Sequence, residues 1–411
     1  MTNFDTGTTG FMIVATALVM IMTPGLAFFY GGLAGKKNVV GVMFQSFVSL
    51  GVSAVLWYVC GYSLSFSGDM CGGFIGNFDK AFFSGVNLNS VFAPNPDHPM
   101  PEFVFAAYQL MFAVITPALI TGAFANRMGF KAYLIFLVLW QLLVYYPFAH
   151  MVWGGGLLAK WGVLDFAGGI VVHATAGFAA LATVFYLKDR RDKTSANNNI
   201  PLIAIGTGLL WFGWYGFNAG SALDVNNITG QAFMNTNTAA AFAAVTWMII
   251  DWMMTKKAKS VAFMTGAVAG LATITPAAGF VSLNAAVAIG IAASIVCYGA
   301  CMLKNKMKWD DALDVWGVHG MGGVTGVILL GVFGSKIVNP AGADGLMNGG
   351  GEFFVHQLAA VIGTCIYAFV ITYGMLIVIN MITKVRVSEA DEDKGLDISE
   401  HDESAYAEGA H

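Results

Sequence analysis

Residues 167–187, AGGIVVHATAGFAALATVFYL, and residues 314–333, DVWGVHGMGGVTGVILLGVF, decide the fold. Each is an apolar run long enough to cross a bilayer as a helix. Each carries one histidine near its start, His173 and His319. A titratable ring in hydrocarbon is costly, so such a residue points to function by default. Two of them in matching runs point to one shared site inside a membrane protein.

The rest of the chain agrees. Of its 411 residues, 57% are hydrophobic and only 11% charged, against about 25% charged in a soluble protein. Mean hydropathy is +0.68. Apolar runs recur at 10–31, 41–66, 102–125, 130–150, 167–187, 200–219, 231–254, 261–281, 283–303, 313–334 and 352–383. The reading is an all-α polytopic membrane protein of eleven transmembrane helices. The division between the eighth and ninth runs is its weakest point, and the last run is long enough to tilt. Fifty glycines suit close helix packing in lipid. The five cysteines make no CxxC pair and read as small apolar packing.

Basic residues orient the spans. With the N-terminus outside, 17 of the 20 Lys and Arg fall in inside segments. They are Lys36, Lys37, Arg127, Lys131, Lys188, Arg190, Arg191, Lys193, Lys256, Lys257, Lys259, Lys304, Lys306, Lys308, Lys384, Arg386 and Lys394. Only Lys80, Lys160 and Lys336 fall outside. An odd number of spans then puts the C-terminus inside. No Lys or Arg precedes the first run, unlike a signal peptide with its basic start. A processed chain and an N-terminus inserted outside both remain open.

Spans one to five (about 10–187) and six to ten (about 200–334) can be overlaid. An offset of five spans inverts one half, which is the inverted-repeat logic of transporters with a midplane site. Asp165 precedes His173, and Asp314 precedes His319. Each aspartate is read as a helix N-cap. Asp165 could also attract cations at the outer mouth. The tail, 384–411, carries nine of the 24 acids and too little apolar surface to fold alone.

Several longer motifs resemble the ammonium transporter family, Amt/Mep/Rh. They are MTPGLAFFYGGL from Met22, AAYQLMFAVITPALITGA from Ala106, AHMVWGGGLLAKWGVLDFAGGIVVHATAG from Ala149, WFGWYGFNAGSA from Trp211, ITPAAGFV from Ile274 and DVWGVHGMGGVTG from Asp314. The resemblance covers essentially the whole chain. It implies a homotrimer with one narrow pore through each subunit. Trp153, Ser221 and Tyr108, with Asp165, resemble the outer vestibule that holds ammonium. Phe112 and Phe217 resemble the stacked gate, and His173 and His319 the twin pore histidines. Gln109 follows Tyr108 as in the family pattern and is read as pore-lining; Phe29, Trp214 and Thr275 resemble lesser pore or vestibule positions. Trp153 and Ser221 point to the Amt branch rather than the Rh branch.

The physics fits that implication. Ammonium over an indole gains about 0.5–2 kcal/mol. A hydrophobic constriction rejects ions that cannot shed their charge, because stripping water from an ion is very costly. Ammonium can give up a proton; potassium cannot. Beyond the constriction, neutral imidazoles offer ammonia one donor and one acceptor each. The expected activity is net electrogenic ammonium uptake across the plasma (inner) membrane, from a protein that is not an enzyme. Two alternatives remain: an ammonium sensor that signals through its tail, and a neutral gas channel of the Rh kind.

No cofactor, metal or nucleic-acid partner is expected; a zinc site needs three or four close ligands. The remaining histidines, His98, His150, His356, His401 and His411, are read as solvated. GLDISEHDESAY from Gly395 resembles the family's C-terminal motif, with Asp402 in place of a glycine. That implies a regulatory tail and a PII-type signal protein at the cytoplasmic face.

Overall fold

The computed structural model describes residues 4–193 and 197–406, so His411 and residues 407–411 of the expected tail lie outside the described residues. The described chain is a helical bundle. Its exceptions are two short antiparallel ladders, Asp69–Met70 with Ile75–Gly76 and Val91–Phe92 with Met100–Pro101.

Eleven apolar helices form the bundle. α1 is Thr6–Leu33. α2 is Val39–Leu56, continued by a π-helical turn to Phe66. α3 is Glu102–Ile120. α4 is Phe130–Trp140, continued by a π-helical turn to Val152. α5 is Gly169–Leu187 and α6 is Ile200–Ala219. α7 is Asn227–Thr255, α8 Ser260–Ile274 and α9 Leu283–Lys306. α10 is Trp316–Phe333 and α11 is Gly351–Ile382. Among the described residues ten are long and apolar enough to cross a membrane; α8 is shorter.

Two expected boundaries are corrected. The run 261–281 is helical only to Ile274. Pro276 has no N–H to continue the ladder, and Ala277 and Phe280 close tight turns onto the carbonyls of Ile274 and Ala277. The run 102–125 ends as a helix at Ile120, with tight turns following.

Small residues set the architecture. A Cβ at Gly25 would press on Leu210 N and Gly206 O, one at Gly213 on Met22, and one at Gly216 on Ala15. Advancing along α1 therefore retreats along α6, and the two pack antiparallel. α5 and α10 do the same: Gly177 lies on Gly320, and Gly323 on Gly169, His173 and Ala174. In both pairs the second helix comes five helices after the first along the chain. Lipid supplies no hydrophobic drive between helices, so close backbone approach is what holds such pairs.

The end of the chain returns to the bundle. Val387 N–H bonds Arg127 O at 3.0 Å, and Arg386 bonds Leu187 O at 2.8 Å. Two short helices follow, α12 (Glu389–Lys394) and α13 (Leu396–His401). Gly395 joins them at φ +96°, where a Cβ would lie 2.6 Å from Lys37 O. Asp397 accepts Gly41 N–H at 2.8 Å at the start of α2, and Glu400 accepts Phe130 N–H at 2.8 Å at the start of α4. Acidic side chains at helix N-termini satisfy free donors and complement the dipole. Asp402 adopts the left-handed conformation, φ +53°, which aspartate tolerates better than most residues.

A Cβ at Gly206 would overlap Phe29 N, whereas one at Gly208 meets nothing within 4 Å. Gly206→Val is expected to destabilise the fold by about 1–3 kcal/mol or more, and Gly208→Val to leave it nearly unchanged. Thermal midpoints in detergent test this; equal midpoints would refute the packing account.

Candidate functional site: a vestibule, an aromatic constriction and a histidine pair

The helix that carries His173 starts on a buried acid. Asp165 accepts four backbone N–H groups, from Gly168 (2.8 Å), Gly169 (2.7 Å), Ile170 (2.7 Å) and Val171 (3.1 Å). Gly168, at φ +121°, turns the chain into the helix. The first turn is π-helical, Gly169–Ala174, with His173 N–H bonded to Gly168 O at 2.9 Å. α10 begins alike, with a π-helical turn over Trp316–Gly320 that contains His319. π turns are rare and concentrate at functional sites.

The counterpart of Asp165 is Asp311, not Asp314. Asp311 is buried and accepts Trp316 N–H at 2.8 Å. Asp314 sits at φ +60°, reaches Lys304 Nζ at 2.5 Å and faces a cavity at the α10 start. Asp165 precedes His173, and Asp311 precedes His319, by the same eight positions. That equal spacing was the available signal.

Three spaces lie in series. The first is an open cavity of ≈ 660 Å³, walled by Gln109, Phe112, Trp153, Asp165 and Ser221 among others. The Trp153 indole donates to Asp165 O at 2.8 Å, which fixes the ring edge-on to Phe112, 5.6 Å away. Ser221 donates to Phe217 O at 2.8 Å. Tyr108 is set behind this wall: its hydroxyl meets the carbonyls of Gly216 and Phe217, both at 2.9 Å, and Ser221 at 3.2 Å. It therefore orients Ser221 and does not line the cavity. Gln109, expected along the pore, stands on this outer wall instead.

Phe112 and Phe217 close the floor, with centroids 4.3 Å apart and planes tilted by 35°. Beneath them is a narrow space of ≈ 10 Å³, the least that holds one water-sized molecule. Its wall is apolar (Met22, Leu26, Ile115, Leu119, Leu210 and Val268) apart from His173, His319 and Trp214. The histidine rings are nearly parallel, 5.4 Å apart at 14°. Trp214 stacks on His173 at 5.5 Å and 19°, and its indole donates to Thr275 at 2.9 Å. Thr275 thus holds Trp214 from behind rather than lining the passage. Both nitrogens of His173 and Nδ1 of His319 have no protein hydrogen-bond partner.

His319 also borders a third cavity of ≈ 270 Å³, with Phe29, Tyr30, Arg190, Lys193 and Asp314. The two rings therefore stand between an outer and an inner chamber. Sequence reasoning missed the apolar wall residues, which nothing distinguishes from core. It also mistook His150 for a solvated residue. His150 is fully buried, bonded to Ser65 O (3.1 Å) and Asp69 (2.8 Å). His401 lies edge-on between Phe44 and Phe130. His98 pairs with Asp224 at 2.7 Å.

A sequence model of the Ammonium Transporter Family matches residues 10–406. The chain belongs to that family. It is 44% identical over 407 residues to a putative ammonium transporter of Methanothermobacter thermautotrophicus, covering 98% of each chain. It is 43% identical over 403 residues to the ammonium transporter Amt1 of Archaeoglobus fulgidus, covering 97% of this chain and 99% of that one. The crystal structure of Saccharomyces cerevisiae Mep2 superimposes with a TM-score of 0.87 at 35% identity, covering 94% of this chain and 88% of that one. A structure titled "Sensor Amt Protein" superimposes at 0.86 and 28% identity, covering 96% of this chain and 98% of that one. Family membership and the many apolar helices make this a multi-pass membrane protein.

Burial pushes the Asp311 carboxyl up to about 6. An acid raised above its ordinary 3.8 costs stability once ionised, so that cost is absent at low pH and fully present above about 6. Asparagine caps as well as aspartate. Asp311→Asn should therefore flatten the fall of stability between about pH 4 and 6. Asp314→Asn should keep the part of that fall that burial causes and lose only the part that its own charge adds. Denaturation midpoints across this range decide it, and an unchanged profile in Asp311→Asn would count against the assignment.

Proposed function

We propose that this chain is an ammonium transporter of the Amt branch, working by net electrogenic uptake. Ammonium enters the outer cavity and sits against the Trp153 face, worth about 0.5–2 kcal/mol. Ser221 accepts one of its N–H groups, a contact that a quaternary amine cannot make. The cation loses its proton at Phe112 and Phe217, because a charged species would cross the apolar space only at great cost. The imidazole pair, nearly parallel with centroids 5.4 Å apart, takes up the proton given off at the gate and relays it, while ammonia passes the unpartnered ring nitrogens of His173 and His319. The observation that carries this reading is a narrow, aromatic-capped space whose wall is apolar apart from the side chains of His173, His319 and Trp214.

Eleven spans with the N-terminus outside and the C-terminus inside agree with the distribution of Lys and Arg. In this reading residues 1–383 form the conducting domain of two inverted five-helix repeats and a long last helix. The chain assembles as a homotrimer in the plasma (inner) membrane, among its lipids. Residues 384–411 form a cytoplasmic regulatory tail. A PII-type signal protein engages the same face. The inner cavity opens beside Arg190, an arginine that reaches the tail-side loops, so a protein seated there would cover the exit.

A second reading has its own support. The likeness to a structure titled "Sensor Amt Protein" favours a role in which ammonium binds and the docked tail carries the signal.

Current from reconstituted liposomes separates the two. Transport predicts a saturable inward current on adding ammonium; a sensor predicts binding without flux. Replacing both histidines (His173→Leu with His319→Leu) is expected to abolish ammonium-specific conduction. Unchanged uptake and ion selectivity in that double variant would refute the assigned role. Trp153→Leu should raise the apparent KM by about 2- to 30-fold; an unaltered KM would remove the indole from the recruitment step.

A further inference from the structure

We infer that Asp224 is a further recruitment residue of the outer cavity, and that His98 masks its charge in a manner set by external pH. The inference rests on reading that cavity as the ammonium vestibule.

Asp224 lines the same cavity as Trp153 and Ser221. It follows the short turn Gly220–Ala222 that presents Ser221, with Leu223 at φ +54° turning the chain. Only three peptide steps separate it from Ser221, so their Cα atoms lie within about 11 Å. That is about one Debye length at 0.1 M salt. A cavity with apolar walls focuses the field further.

The carboxylate is crowded with donors. Oδ1 accepts from Thr8 Oγ1 (3.1 Å), Val225 N–H (2.7 Å) and His98 Nδ1 (2.7 Å). Oδ2 accepts from Asn95 Nδ2 (2.9 Å) and Asn226 Nδ2 (3.1 Å). Every donor but one is neutral. Only His98 can cancel the charge, and only while its ring is protonated. Its side chain is 40% exposed, so it exchanges protons with the outside medium. The other titratable groups facing it are acidic: Asp5, which caps the start of α1, and Asp97 on its own loop.

The hydrogen bond to Asp224 raises the His98 pKa above the ordinary 6.5, outweighing desolvation, with Asp5 and Asp97 adding to the rise. Burial favours the protonated Asp224 carboxyl, but its bonds to Asn95, His98, Val225 and Thr8 outweigh burial and hold it below its ordinary value. The acid thus stays ionised while the histidine titrates. The pair is intact below pH 6.5 and loses its positive member as pH climbs through the raised value. A neutral imidazole can still donate from Nδ1, so the contact survives and only the charge changes. Above the transition the cavity wall carries an unmasked carboxylate, and cation recruitment strengthens.

The test uses the full chain in liposomes, with ammonium itself as the probe. Apparent KM is read from currents between outside pH of about 6 and 8.5, which brackets a raised histidine. KM of the unaltered protein should fall about threefold over this range, and less at high salt. His98→Gln keeps an N–H donor without a charge, so its KM should stay flat at the low, alkaline value. Asp224→Asn should lose the low alkaline KM: at pH of about 8.5 its KM should match the acid value of the unaltered protein, and it should rise further only toward about pH 6, where His98 protonates without a carboxylate partner. A flat KM in the unaltered protein, or an undiminished slope in His98→Gln, would overturn the inference while leaving transport intact. No saturable current in the unaltered protein would overturn the transport reading, and the inference with it. Should Asp224→Asn fail to fold, the exposed His98→Gln site and the salt dependence still decide.

Discussion

The backbone crossing of α5 and α10 is the constraint on which the rest depends. At Gly177 an added Cβ would overlap Gly320, and at Gly323 it would lie 2.8 Å from the Cβ of His173. Each glycine stands four positions after a histidine, one helical turn away on the same face. The crossing therefore decides how near the two rings come. With both helices at contact distance the imidazoles stand 5.4 Å apart and almost parallel. A side chain at either glycine would separate them and open the space between.

The second theme is how the fold places charge at helix starts. Free N–H groups at a buried helix start are costly if left bare. Asp165, Asp311 and Asp397 accept such groups, and Glu400 accepts an exposed one at the start of α4. Two of these acids anchor the histidine helices, and two belong to the tail. The tail is thereby held to the bundle by the same chemistry that positions the site. Asp310 adds to this end of the molecule, bridging Arg127 (3.2 Å) and Arg190 (2.8 Å), and Arg190 also borders the inner cavity. Val387, Arg127, Asp310 and Arg190 thus link the tail to the wall of the inner cavity through short polar contacts.

Much of the site was legible because its residues break the rules of their surroundings. A histidine in a membrane-length run stands out, and so do a tryptophan and serine inside long motifs. Residues obeying the rules did not show. Leu26, Leu210 and Val268 wall the passage, yet in the sequence they are ordinary apolar positions. Asp311 was overlooked for Asp314 because the latter sits closer to the apolar run. Only the backbone shows that Asp314 lies at positive φ while Asp311 bonds Trp316 N–H. Tyr108, Gln109 and Thr275 were assigned to the right neighbourhood and the wrong surface, since a motif carries no information on which way a side chain turns.

By itself the sequence determined the class, the approximate spans and the histidine pair. These follow from hydropathy, charge asymmetry and periodicity, which are local or summed along the chain. Tertiary structure alone decided that two phenylalanines from α3 and α6 meet at 4.3 Å and that His98 on a distant loop faces Asp224. Such contacts join residues more than a hundred positions apart. They depend on where helices cross, and a crossing is fixed by the mutual fit of two surfaces that no single stretch of chain contains.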